Sequence, residues 1–304
     1  MRPTPQYSVL VPVHNEEGDV EELARRIGEQ LRDSYEIIFI DDGSTDETWA
    51  ILERLHVPDR VRIIRFRRNF GKAAALMAAF AASRGEVVFT MDGDLQDDPA
   101  EIPKFVAKLD EGFDLVSGWK ATRHDPPSKV LPSRLFNFVV RRTTGVELHD
   151  MNCGFKCYRG ELARRIRIYG ELHRFIPALA AAEGYRIGEV KVLHHARQHG
   201  RSKYGFSRLF KGFFDLVTVL LATRFRERPA HAFGFASLFS FGGAGLLALA
   251  EALVEGPFDL TPWALFLGLS GVVCLAAGWT AEVASCADLQ ARPEASYSIE
   301  ERRD

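Results

Sequence analysis

From Ser8 to Met91, short runs of consecutive apolar residues alternate with stretches whose apolar positions recur every three or four residues. The first pattern predicts buried strands at Ser8–Val13, Tyr35–Ile40, Val61–Phe66 and Glu86–Met91. The second predicts helices over Glu17–Arg32, Thr45–Leu55 and the alanine-rich Gly71–Ala82. In the first of these helices the inward face reads Val20, Leu23, Ile27 and Leu31. Strand and helix in strict alternation define an α/β domain with a mostly parallel sheet flanked by helices.

A different pattern takes over near the C-terminus. Pro229–Ala250 and Leu260–Ala281 contain no Asp, Glu, Lys or Arg. Each run is about 22 residues, and roughly 20 suffice to cross a bilayer as a helix. Both are apolar all round rather than on one face, unlike a helix on a soluble core. The short connection Glu251–Asp259 makes them a transmembrane hairpin. Upstream, Phe206, Leu209, Phe210, Phe213, Phe214, Val217 and Leu220 repeat at helical spacing among Arg208 and Lys211. That combination predicts an amphipathic helix in the bilayer interface. The expected organisation is an α/β domain over residues 1–203, amphipathic juxtamembrane helices over 204–228, spans over 229–252 and 260–282, and a cytoplasmic tail over 283–304.

Charge orients the hairpin. Arg224, Arg226 and Arg228 precede the first span and Arg292, Arg302 and Arg303 follow the second, whereas the connection carries only Glu251, Glu255 and Asp259. The positive-inside rule places both flanks in the cytoplasm. No signal peptide is evident before the first strand, which predicts a multi-pass protein of the inner (cytoplasmic) membrane with its α/β domain in the cytoplasm. The formal net charge of −2 gives no electrostatic reason to expect a nucleic-acid partner. Cys153 and Cys157 lack the further ligands of a zinc site and read as core thiols. His194, His195 and His199 alternate with apolar residues and read as a strand end.

Candidate chemistry gathers where the predicted strands end. Asp41 and Asp42 follow Ile40, and Asp92 and Asp94 follow Met91. Open α/β sheets bind ligands outside the carboxyl ends of their strands. Carboxylates clustered there repel one another unless a cation intervenes. Gly93 allows the backbone to approach a ligand closely, and Gln96 can add a neutral oxygen. Two carboxylates completed by substrate phosphates suit Mg²⁺, with Mn²⁺ as the alternative. Asp97 and Asp98, before Pro99, read as a helix start and its cap. Lys72 begins a helix and reads either as a base or phosphate contact or as a solvated charge. Neither a phosphate-binding P-loop nor a dinucleotide fingerprint is present, which disfavours NTPases and dehydrogenases.

Taken together, PVHNE (12–16), DDGSTDET (41–48), NFGKAAAL (69–76) and MDGDLQDDPAEIP (91–103) resemble family 2 glycosyltransferases of the GT-A (Rossmann-like) fold. SGWK (117–120), PSRLFN (132–137), HDMNCGFKCYR (149–159) and RQHGRSKYG (197–205) extend the likeness to polyprenyl-phosphate glycosyltransferases. The resemblance implies an inverting transfer of one sugar from a UDP- or GDP-linked donor to a polyprenyl phosphate at the membrane surface. It implies that Pro12, His14, Glu16, Ile40 and Asp42 line the nucleotide pocket, with Gly93 and Lys120 also on the donor side, and that Asp92, Asp94 and Gln96 hold the metal. It implies that Arg134, Arg197, Ser202 and Lys203 bind the acceptor phosphate, Arg197 and Lys203 with catalytic roles. Asp150 is the candidate to orient the acceptor or act as a weak base, its alternative role being a loop cap. The resemblance also implies oligomers, for which Gly242, Gly243 and Gly245 would let helices approach closely. Two other readings stay open here: a processive polysaccharide synthase, which would carry Gln-x-x-Arg-Trp and more spans, and a non-catalytic nucleotide-sugar-binding scaffold.

Overall fold

The computed structural model describes residues 5–31, 34–121, 138–195, 217–221, 223, 225, 229–253, 259–290 and 299–303. Arg134, Arg197, Ser202, Lys203, His199 and most of the expected amphipathic segment lie outside the described residues.

The apolar runs form strands where the pattern places them. β1 is Tyr7–Val13, β2 Tyr35–Asp41, β3 Val61–Phe66 and β4 Val87–Thr90. Between them lie helices α1 (Val20–Leu31), α2 (Thr48–Leu55) and α3 (Lys72–Ala82). Val20, Leu23, Ile27 and Leu31 are the buried residues of α1. After α4 (Ile102–Asp110) come β5 (Leu115–Trp119), β6 (Lys156–Arg159), α5 (Gly160–Arg165), α6 (Ile176–Ala182) and β7 (Ile187–Lys191).

The sheet has the order β7-β5-β6-β4-β1-β2-β3-β8, where β8 is Ile299–Arg303. β1 pairs in parallel with β2 and β4, β2 with β3, and β5 with β7. β6 runs antiparallel between β4 and β5, and β8 runs antiparallel along β3. Parallel strands buried on both faces require continuous apolar sequence, and Val9–Val11 and Ile37–Ile40 accordingly have at most 1% exposure. β6 matters for function because it reverses direction beside β4 with Lys156 opposite Thr90, bringing its preceding loop to the acidic end of β4.

The amino ends of β1 and β2 are joined by a buried ionic network. Fully buried Glu36 accepts hydrogen bonds from Ser8 Oγ at 2.6 Å, Arg62 Nη1 at 2.8 Å, Arg84 N at 2.7 Å and Arg84 Nε at 3.0 Å. Arg62 is itself only 4% exposed.

The chain divides into two units, Met1–Val219 with Ala295–Asp304, and Leu220–Glu294. The second contains α7 (Pro229–Leu253) and α8 (Thr261–Gln290), both long and apolar enough to cross a membrane. Their large side chains face outward, as at Phe239, Leu246, Trp263 and Trp279. A chain with these two exposed apolar helices associates with a membrane. Each helix caps the other. Glu282 of α8 accepts the amide of Ala230 at 3.0 Å, and Glu251 of α7 accepts the amide of Leu260 at 2.8 Å. Both bonds satisfy amides that a helix start leaves without an intrahelical partner. Close approach within the hairpin falls at Gly271 and Gly278, where a Cβ would meet Phe241 at 2.8 Å and Phe233 at 2.7 Å. Gly242 and Gly245 meet nothing within 4 Å, while a Cβ at Gly243 would lie 3.0 Å from Leu267.

α8 continues to Gln290, and Ile299–Arg303 returns as β8 on the edge of the sheet. Hydropathy marks where the apolar run stops, but a helix continues as long as its backbone bonds do.

Candidate active site

Three loops at the carboxyl ends of β1, β2 and β3 are stitched together by polar side chains. The Asn15 amide donates to Ser44 Oγ at 3.0 Å, and Thr45 N donates to Asn15 Oδ1 at 2.8 Å. Glu16 N donates to Thr48 Oγ1 at 2.9 Å. Asn15 takes a left-handed backbone (φ 56°), a conformation that asparagine tolerates better than most residues. Asp41 accepts from Ser44 N at 2.9 Å. Asp42 uses both carboxylate oxygens on the loop after β3, accepting from Phe70 N at 2.7 Å and Gly71 N at 2.9 Å. Burial raises the Asp42 pKa, against the lowering effect of those two amides and of nearby His14. Ile40 has 0% exposure, so its side chain belongs to the core and is not a pocket wall.

The acidic turn after β4 packs on the same assembly. A Cβ at Gly93 would lie 2.8 Å from Val13 Cγ1 and 3.7 Å from Glu16 Cγ, so the turn rests directly on the end of β1. Asp94 is 6% exposed and accepts from Gln96 N at 3.3 Å. Between them, buried Leu95 is left-handed at φ 54°. Such a backbone is unfavourable for leucine and persists only where the surroundings hold it, which is common at functional sites. Gln96 Nε2 donates to the His195 carbonyl at 3.3 Å, leaving its amide oxygen as the end suited to a cation. Asp92 lies against Gly154, where a Cβ would approach its carboxylate to 2.6 Å, and its Oδ1 is ion-paired with Lys72 Nζ. Two carboxylates and an amide oxygen on one turn form an all-oxygen donor set that fits Mg²⁺ or Mn²⁺, completed by substrate phosphates.

Asp97 departs from its expected role. Asp98 is the cap, accepting from Ala100 N at 3.0 Å, whereas Asp97 is 1% exposed and faces Lys120 Nζ at 3.1 Å and His194 Nδ1 at 3.7 Å. Burial opposes its charge, but Lys120 and His194 hold the carboxyl below the usual range. Burial likewise opposes the Lys120 ammonium, yet Asp97 keeps its pKa above the ordinary lysine value. Lys120 is therefore an ion-paired, largely buried cation near Asp92.

Asp150 is 2% exposed and sits in a loop fixed by Glu189 of β7. One Glu189 oxygen accepts the amides of His149 at 2.8 Å and Asp150 at 3.1 Å, and the other meets His149 Nδ1 at 2.7 Å. The His149 ring stacks on Trp119 with centroids 4.0 Å apart, and Lys191 lies over Trp119 at 4.9 Å. The end of β5, which carries Lys120, is thus tied to the loop that carries Asp150.

Two basic residues join the site without a sequence signal read for them. Lys156 is 3% exposed and donates to the Cys153 carbonyl. Burial lowers its pKa, and Lys72 adds to the lowering while Asp150 and Asp92 oppose it. The sequence offers only a lysine between Phe155 and Cys157, at the start of the short strand that ends in Arg159. His173 keeps Nδ1 enclosed with no hydrogen bond, and burial, helped by Lys72, Arg174 and Lys156, pushes its pKa down to about 2. A histidine depressed in the folded state binds protons better unfolded. Its contribution is intact above about pH 6.5 and is lost as pH falls below that, by up to about 1.4 kcal/mol per pH unit. Thermal melts in detergent at pH 7 and pH 5 are expected to show a larger acid-side loss for wild type than for His173→Asn. Equal losses would contradict the buried neutral state. Cys153 and Cys157 are buried free thiols, as expected, and burial pushes Cys153 up to about 12.

A mostly parallel sheet with an acidic turn and stitched loops at its carboxyl edge is an arrangement of the GT-A type. The chain belongs to glycosyltransferase family 2: the model described as "Glycosyl transferase family 2" matches residues 8–167. It is a glycosyltransferase. It is 41% identical over 84% of its length to the dodecaprenyl-phosphate galacturonate synthase of Rhizobium johnstonii, covering 76% of that protein. It is 38% identical over 84% of its length to an undecaprenyl-phosphate 4-deoxy-4-formamido-L-arabinose transferase of Pseudomonas fluorescens, covering 77% of it. In fold it resembles glucosyl-3-phosphoglycerate synthase from Mycobacterium tuberculosis, with a TM-score of 0.56 and 22% identity over 72% of this chain and 80% of that one.

Proposed function

We propose that this protein moves one sugar from a nucleoside-diphosphate sugar to a polyprenyl phosphate at the cytoplasmic face of the inner membrane, with inversion at the anomeric carbon. The observation that carries the reading is the presence, in one chain, of an acidic turn at the carboxyl edge of the sheet and a hairpin of two membrane-length helices. Relatives named for dodecaprenyl- and undecaprenyl-phosphate products support the acceptor class.

Asp92, Asp94 and Gln96 are the residues that would hold a divalent cation, which would neutralise charge on the departing nucleoside diphosphate. The fold neighbour was solved with Mn²⁺ and UDP-glucose, in keeping with that donor set. Pro12, His14, Glu16 and Asp42 frame the nucleotide side, and the amides of Phe70 and Gly71 hold Asp42 in place. Asp150, positioned by Glu189, would orient the acceptor. A phosphate monoester with its second pKa near 6 is largely ionised at neutral pH, so its oxygen needs little help from a base. Arg134, Arg197, Ser202 and Lys203 are proposed as the acceptor-phosphate cations.

The two alternatives are less well supported. A processive synthase would carry Gln-x-x-Arg-Trp, which the sequence lacks. A scaffold has no need for a buried, charge-balanced pair such as Asp97 and Lys120 beside the acidic turn. The test is incubation of the purified protein with undecaprenyl phosphate, Mg²⁺ or Mn²⁺ and a panel of labelled UDP- and GDP-sugars. One donor is expected to give label in a solvent-extractable lipid bearing a single sugar. Label in a water-soluble polymer would support the synthase, and donor binding with no transfer would support the scaffold.

A further inference from the structure

Lys72 stands at an electrostatically unfavourable place. It is the first residue of α3, preceded by Gly71 at φ 93°, and a helix start disfavours positive charge. Lys156 and His173 lie close enough to couple electrostatically with it. What offsets this is Asp92, whose carboxylate Lys72 contacts directly. The two side chains are 32% and 33% exposed, so the pair is open to solvent and to exchange. Ion pairs of that exposure are weak.

The reading of Asp92 and Asp94 as cation ligands carries a consequence for this lysine. A divalent cation and the Lys72 ammonium require the same carboxylate. We propose that Lys72 is an internal counter-cation, neutralising Asp92 until a divalent cation arrives and then transferring its charge to the diphosphate of the donor. The new partner is suitably placed, since the start of a helix favours phosphate. Lys72 thus raises the concentration of free metal needed to load the site and strengthens nucleotide binding once it is loaded.

The two halves predict effects of opposite sign. In the full-length protein in detergent, binding of Mn²⁺ alone can be followed by the paramagnetic resonance of free Mn²⁺, with no nucleotide present. Lys72→Met keeps the length and removes the charge, and is expected to tighten Mn²⁺ binding roughly fivefold. With Mn²⁺ saturating, the same variant is expected to bind UDP or GDP, whichever wild type prefers, roughly fivefold more weakly. Lys72→Arg should resemble wild type in both measurements, which a merely structural role would not require. Unchanged or weaker Mn²⁺ binding by a folded Lys72→Met protein overturns the competition. Unchanged nucleotide binding overturns the transfer of charge. Asp94→Ala separates this inference from the reading beneath it. If wild type and Asp94→Ala bind Mn²⁺ equally, the cation site itself is wrong and the role of Lys72 falls with it. If only Lys72→Met fails to differ from wild type, the site stands and the lysine is a bystander.

Discussion

Asp94→Ala is expected to reduce sugar transfer by about a thousandfold or more, the scale of losing a principal electrostatic stabiliser of developing charge. Asp94 is buried at 6% exposure on a turn whose shape depends on left-handed Leu95 and on Gly93 packed against Val13. Its Oδ1 accepts a hydrogen bond from Gln96 N at 3.3 Å, which ties the carboxylate to the turn. Alanine removes the proposed cation ligand and leaves the backbone free to keep its course. Asp94→Asn keeps the shape with less charge and should lie between the two. Turnover measured across a Mn²⁺ titration is the direct check. A variant with wild-type turnover, or with unchanged metal dependence, would remove Asp94 from the cation site.

The second large effect is on stability and lies at the opposite end of the sheet. Glu36→Ala deletes the centre of the network that joins Ser8, Arg62 and Arg84. The cost lies mainly in what remains: Arg62, 4% exposed, would retain a buried positive charge without its carboxylate. Breaking a buried pair from one side costs about 3–5 kcal/mol. In a domain of this size that is a fall in Tm of about 10 °C. Glu36→Gln preserves acceptors for Ser8 and Arg84 and should cost less. Because the network sits at the amino ends of β1 and β2 and the site at their carboxyl ends, transfer at low temperature should survive. A melt unchanged within a degree would show the network to be dispensable.

Much of this architecture was legible in the sequence because it rests on local rules. Val61–Phe66 is a strand with the bounds its apolar run indicates, and α1 buries the four residues its spacing selects. The acidic turn could be placed because apolar strands in such sheets end at the ligand side. What the sequence did not yield depends on long-range pairing. Nothing local distinguishes Asp97 from Asp98: the first became a buried partner of Lys120 and the second a cap only because β5 and the His194 segment close over one of them. Glu189 is one more glutamate in an alternating strand until β7 pairs with β5 and brings it to Asp150. The resemblance places Ile40 in the nucleotide pocket, whereas its side chain is fully buried in the core.

The reciprocal caps of the hairpin amount to a depth gauge. From Ala230, held by Glu282, to Glu251, which holds Leu260, α7 advances 21 residues, or about 31 Å at 1.5 Å each. That is close to the ~30 Å thickness of a bilayer's hydrocarbon layer. Two carboxylates that each require a polar neighbourhood therefore stand one oil-layer apart. For a hairpin that spans the bilayer, as we propose, a thinner or thicker lipid mixture draws one of them out of register with its water boundary, and the lipid itself becomes a variable in how firmly the two helices hold together.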